Sequence, residues 1–123
     1  MLQGDFFTIS SIQKEISSAK LLLELNASHP IFAGHFPGQP VVPGACLLQM
    51  VKEVVQVLLG EKIQLAKAHQ LKFMSPIDPN KNKDLLADLT YSLTENEITV
   101  SATFSCNTTV CFKFSGTFQI SGN

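Results

Sequence analysis

No apolar run in the chain reaches the roughly 18–20 residues that a bilayer-spanning helix needs. Met1 to Ser11 has neither a basic leader nor an apolar segment behind one. No membrane partner is expected, and the protein reads as cytoplasmic. Basic charge is scarce too. Nine Lys plus Arg against ten Asp plus Glu leave a formal charge of −1, which provides no field for nucleic acid. The cysteines number three, and neither they nor the three histidines fall at metal-ligand spacing, so no metal and no cofactor are expected. Cys46 reads as a small core residue. Cys106 and Cys111 flank what looks like a hairpin, and in a reducing compartment they read as two free thiols. Asn26-Ala27-Ser28 and Asn107-Thr108-Thr109 match the glycosylation pattern, but without a secretion signal both are chance matches. Repeats, low-complexity tracts and linkers are also missing. The 123 residues, 45% of them hydrophobic, therefore read as one domain, 1–123, with a real core.

What the chain does contain is a stiff turn in front of an apolar helix. The turn runs Ala33-Gly34-His35-Phe36-Pro37-Gly38-Gln39-Pro40-Val41-Val42-Pro43-Gly44-Ala45. Pro37, Pro40 and Pro43 fix three φ angles and hold the residue before each one extended, so His35 is expected on a preset backbone. From Pro43 to Leu59 the pattern predicts a helix, begun by a proline in its first turn and stopped by Gly60. Leu47, Leu48, Met50, Val51, Val54, Val55 and Leu58 go round most of its circumference, so something is expected to wrap it. Gln49, Lys52, Glu53 and Gln56 recur at spacings of three and four and share one side. That stripe reads as a solvated edge or hydrogen-bonded interface, or as the lining of a cleft.

Around the helix the period changes to two. Phe6 to Gln13 and Ala19 to Leu25 read as a first hairpin, and Gln64 to Met74 as a strand after the helix. Leu85, Ala87, Leu89, Tyr91 and Leu93 alternate with polar residues, as do Ile98, Val100, Ala102 and Phe104, and then Phe112, Phe114, Phe118 and Ile120. Thr94-Glu95-Asn96-Glu97 is a turn. One greasy face and one wet face describe an antiparallel sheet packed on one side. The expected architecture is α+β, a curved antiparallel sheet wrapping one long helix.

The stretch from His29 to Gly44 resembles the signature of the 3-hydroxyacyl-[acyl-carrier-protein] dehydratases of type II fatty acid synthesis, which adopt the hot-dog fold. The resemblance keeps the histidine, the GHFPG turn and the P-x-x-PG approach to the helix. Leu71-Lys72-Phe73-Met74-Ser75-Pro76 is similar, more weakly, to a strand of the same family. The resemblance implies that His35 is the catalytic histidine and that the Gly44 N–H holds the thioester carbonyl. Phe36 and Val42, in the same stretch, are expected to bind substrate. It also implies a dimer in which the histidine of one subunit meets an acid from the partner's helix. The reaction implied is loss of water from a 3-hydroxyacyl thioester to give the trans-2-enoyl thioester.

One position departs from the family. Its helix acid lies fourteen positions after the histidine, and here that position, from 35 to 49, is Gln49. An amide is no general acid at neutral pH. Glu53 stands where the family often has glutamine, about one helical turn or 6 Å further on. Glu53 reads either as a relocated acid or as an exposed charge or salt bridge with Lys52 or Lys62. His35 has a plain alternative as well, a histidine hydrogen-bonded inside a turn. His29 reads as positional, and His69 has no identifiable partner.

Three functions follow in order. The first is dehydration of acyl-carrier-protein-linked 3-hydroxyacyl thioesters in fatty acid or related polyketide or polyene biosynthesis, using His35 with Glu53 or with a water held by Gln49. The second is a catalytically impaired hot-dog subunit that pairs with an active homologue as a heterodimer, in place of a homodimer. The third is an acyl thioesterase, against which the GHFPG and P-x-x-PG elements speak.

Overall fold

The computed structural model describes residues 1–34, 38 and 40–121. The chain runs β1 (Phe7–Lys14), β2 (Ser18–Leu25), α1 (Ile31–Gly34), α2 (Gly44–Leu59), β3 (Ile63–Phe73), β4 (Asp84–Thr94), β5 (Glu97–Cys106) and β6 (Thr109–Ile120). The strands form one sheet in the order β1-β2-β4-β5-β6-β3, antiparallel at every junction. This is the expected α+β hot-dog arrangement, with α2 held against the inner face. α1, a single turn, carries no periodicity and was not anticipated.

The alternation settles which face is inner. Leu21, Leu23 and Leu25 of β2, Leu85, Ala87 and Leu89 of β4, Ile98, Val100 and Phe104 of β5, and Phe112, Phe114 and Phe118 of β6 are all buried. They pack on Leu47, Met50, Val51, Val54, Val55 and Leu58 of α2 in one continuous core. Each such side chain removed from water stabilises the fold by roughly 1.5–3 kcal/mol before entropy is counted. Leu93 is a correction to the expected pattern: it is 57% exposed, because β4 has by then run past the helix toward the turn at Glu95. Glu95 and Asn107 take left-handed φ values of 54° and 56° in the two hairpin turns that join β4 to β5 and β5 to β6.

α2 ends as its sequence demands. Gly60 adopts φ 69° and its N–H returns to the Gln56 carbonyl at 2.8 Å. Lys14 Nζ donates to the Leu58 carbonyl at 2.7 Å, placing a cation on the negative end of the helix. The helix then hands over to β3 through Gln56, whose Oε1 accepts the Ile63 N–H at 3.1 Å.

β3 shows no inside and outside. After buried Ile63, every residue from Gln64 to Phe73 is exposed. β3 is the edge of the sheet and leaves Leu65, Leu71 and Phe73 uncovered, with Met74 just beyond. An exposed edge of that length with apolar side chains on it is a template for another chain.

Where β3 meets β6 the pairing is tight. A Cβ on Gly116 would run into the carbonyl oxygen of Lys67 and sit 2.7 Å from Phe114 Cζ. We expect Gly116→Ala to destabilise the protein by about 1–3 kcal/mol, the range for forced overpacking, as a lowered urea midpoint with unchanged slope.

Candidate active site

The approach to α2 is bolted to the segment after β3: the Val42 N–H donates to the Ile77 carbonyl at 2.9 Å. Between them opens a cleft of about 430 Å³. Val42, Pro43, Gly44 and Leu47 form one wall and Phe73 and Ile77 the other. The lining is apolar apart from backbone and Ser75, which suits an acyl chain.

At one end of the cleft lies the N-terminus of α2. Pro43 takes an extended conformation at φ −63° and ψ 146°, and no side chain caps the helix. Its carbonyl accepts the Cys46 and Leu47 N–H groups at 2.9 and 3.2 Å. No described residue accepts the N–H of Gly44 or Ala45. These are two of the donors that every helix leaves over at its start, and they carry the positive end of the helix dipole. A Cβ on Gly44 would sit 2.9 Å from Cε1 and Cζ of Phe73, so the exposed ring would have to shift to admit it. The Phe73 ring lies over the helix start and stacks on Phe112 at 5.3 Å between centroids. Val42 and Gly44 are thus placed in one cleft, while His35 and Phe36 lie outside the described residues.

The polar stripe of α2 holds a second group. Glu53 is completely buried. Its Oε1 accepts the Gln3 N–H at 2.7 Å, and its Oε2 accepts the Leu2 N–H and Gln49 Nε2, both at 2.8 Å. The reading of Glu53 as an exposed charge or a salt bridge to Lys52 or Lys62 is therefore corrected. The N-terminal segment folds back over α2 and supplies backbone donors, and no cation among the described residues pairs with Glu53. Gln49 and Glu53 are joined to each other, and neither lines the cleft of their own chain.

His29 is tied on both nitrogens. Nδ1 accepts the Ile31 N–H at 3.1 Å and Nε2 stands 3.1 Å from Asp5 Oδ2, so the proton sits on Nε2. His69 is exposed on β3. All three cysteines are free and buried. Burial raises the Cys46 thiol pKa, and burial first, then Cys111, pushes Cys106 up to about 12. Neither thiol is an activated nucleophile.

Two parts of this site were not anticipated. Phe73 sits over Gly44, and its sequence signal lay only in the weaker of the two family resemblances. Leu2 and Gln3 meet Glu53 through backbone N–H groups, which every residue has and no side-chain pattern reveals.

The fold is that of a hot-dog protein. A family model described as ApeI dehydratase matches residues 11–115, and the chain belongs to this ApeI-like family. Among curated relatives it is similar to the 3-hydroxyacyl-[acyl-carrier-protein] dehydratase FabZ of Chlamydia trachomatis, at 37% identity over 70 residues, which are 50% of this chain and 46% of the relative. With FabZ of Haemophilus influenzae it shares 28% over 80 residues, 58% of this chain and 54% of the other. The chain spans about half the length of the curated relatives it matches. Among solved structures it superposes on the dehydratase heterocomplex ApeI:P from Xenorhabdus doucetiae with a TM-score of 0.73 at 20% identity, covering 90% of this chain and 96% of that one. It also superposes on the thioesterase HI1161 of Haemophilus influenzae with a TM-score of 0.61 at 12% identity, covering 94% and 78%. At these identities the superpositions speak for the fold.

The contact at Gly44 makes a specific test. Gly44→Ala should lower stability by at most about 1 kcal/mol, the low end of overpacking, through displacement of the exposed Phe73 ring. In a Phe73→Ala background the same change should be close to neutral, so denaturation of the four forms should show coupling. Additive losses would mean that the ring is not what excludes a Cβ.

Proposed function

We propose that this protein dehydrates 3-hydroxyacyl thioesters carried on acyl carrier protein to trans-2-enoyl thioesters, in fatty acid or related polyketide or polyene biosynthesis. The observation that carries the reading is the apolar cleft that reaches Gly44 at the start of α2, where the Gly44 and Ala45 N–H groups have no acceptor among the described residues. It offers an acyl chain its wall and a thioester carbonyl its donors. The demanding step is removal of the α-proton, which moves negative charge onto that carbonyl oxygen. A preorganised donor there is worth roughly 3–4 kcal/mol.

His35 takes the α-proton in this reading, since a neutral imidazole with an ordinary pKa near 6.5 suits a base at physiological pH. The double bond then forms as the β C–O bond breaks. The departing hydroxyl needs one proton, and Gln49 has none to give. The imidazolium made in the first step supplies it, so that water leaves and His35 returns neutral. Gln49 contributes an acceptor. One hydrogen of its Nε2 goes to Glu53, which orients the amide, and Oε1 accepts the hydroxyl hydrogen of the substrate.

Gln49 does not reach the cleft of its own chain, and β3 is an uncovered edge. Both features support a site shared between two subunits, in a homodimer or a heterodimer with a homologous dehydratase. The alternative of a catalytically impaired subunit draws on Gln49 itself, and there activity appears only with an active homologue. We place the protein in the cytoplasm, where three free thiols persist. No helix among the described residues is long and apolar enough to cross a membrane.

Two measurements test this. Sedimentation at micromolar concentration should show a dimer or larger species, and a stable folded monomer would remove the shared site. Incubated in deuterium oxide with an acyl-carrier thioester, the native protein should exchange α-hydrogens, and His35→Ala should lower that exchange by about 10²–10⁴. Mass spectrometry reads the label. Unchanged exchange would return His35 to a structural role.

A further inference from the structure

Glu53 is the one charged side chain that is fully buried among the described residues. Three donors meet it, the N–H groups of Leu2 and Gln3 and the amide of Gln49, and all three ask its oxygens to accept. A carboxyl group that delivers a proton has to turn an O–H toward the substrate. Here both oxygens face the N-terminal backbone and Gln49.

From Glu53 a chain of contacts runs to the reactive segment. The Leu2 carbonyl accepts N–H groups from Asp5 at 3.2 Å, Phe6 at 2.7 Å and Phe7 at 3.3 Å, which closes a tight turn on the tethered residue. Phe6, wholly buried, stacks on Phe32 of α1 at 5.3 Å and meets the His29 ring edge-on at the same separation. Asp5 Oδ2 holds His29 Nε2, and His29 Nδ1 holds the Ile31 N–H, the first of α1. α1 ends at Gly34, and the next residue is His35.

We propose that Glu53 is a positioning residue for dehydration. It acts through the N-terminal turn on the segment that presents His35, and through its hydrogen bond on the amide of Gln49; it is not the proton donor. The proposal rests on the dehydratase reading. It explains why a carboxylate is needed one turn beyond the family's acid position. An amide at 53 has a single acceptor oxygen, and its NH₂ would confront at least one of the three donors. The same accounting fixes Gln49: with its NH₂ on Glu53, its oxygen points away.

The test uses Glu53→Gln and Gln3→Pro in the full chain. Gln3→Pro removes one donor and leaves the carboxylate untouched. Both variants should lower kcat for a 3-hydroxyacyl-carrier substrate by about three- to tenfold with KM little changed, the scale of one or two lost hydrogen bonds. Hydrogen exchange should quicken at the Phe32 and Ala33 amides, which close α1 onto His29 and Pro30. A loss of 10²–10⁴ in Glu53→Gln alone, with Gln3→Pro at native rate, would make Glu53 the acid and overturn the proposal. Native kcat in both variants would overturn it as well. Should Glu53→Gln fail to fold, Gln3→Pro decides. If the native protein does not dehydrate the substrate, the dehydratase reading has failed, and exchange at Phe32 and Ala33 still judges the coupling. Unchanged protection there sinks it.

Discussion

A helix that is apolar most of the way round has to be enclosed, and enclosing α2 shapes the rest of the chain. Strands on both sides of it in sequence contribute to one sheet, β1 and β2 before it and β3 to β6 after it. The chain leaves α2 along β3, at the far edge, and returns through β4 beside β2. β3 and β1 are therefore left as the two edges of the sheet. Enclosure also removes water from most of the helix surface. A charge on that surface then needs hydrogen-bond donors from the protein itself, since leaving it bare costs several kcal/mol.

The two ends of this constraint are met in opposite ways. At Glu53 the chain brings its own N-terminal backbone to satisfy an acceptor, and the donors of Leu2 and Gln3 are used up. At Gly44 and Ala45 donors stay without a described acceptor, next to an apolar cleft. An amide N–H left dry and unpaired costs about 1–3 kcal/mol, so such groups persist where solvent or a ligand completes them. Pro43 contributes to this. It starts the helix without a side chain that competes for those donors, which a serine or aspartate at the same place would do.

The central strands and α2 were legible because each is packed on one side or wrapped, and packing writes a period into the sequence. Leu21 to Leu25 and Ile98 to Phe104 alternate for that reason. β3 alternates poorly because neither of its faces lies on the core, and Leu93 keeps the alternation after its strand has left the helix behind. The start of α2 was legible as a motif, through Pro43 and Gly44, whose geometry is local, whereas the turn at His35 lies outside the described residues. What could not be read was long-range and made by backbone: the return of Leu2 and Gln3 to Glu53, fifty-one and fifty positions apart in sequence. The Phe73 ring above Gly44 belongs with these, since two elements distant in the chain meet there.

The exchange of acid and amide between positions 49 and 53 shows how strongly one turn of helix changes a residue's chemistry. At 53 a carboxylate points into the protein, where it organises neutral donors. At 49 an amide faces away from that interior with its orientation set from behind. The pair remains joined by one hydrogen bond, but its direction fixes what each can offer. A carboxyl at 49 leaning on an amide at 53 can present a proton. An amide at 49 leaning on a carboxylate at 53 presents an acceptor. In the mechanism we propose, such a site does not draw its proton from the helix, and the histidine carries the α-proton from carbon to the departing oxygen. Holding that histidine and the hydroxyl in register becomes the main demand on the protein. On our proposal, the network from Glu53 through the N-terminal turn to α1 serves that demand.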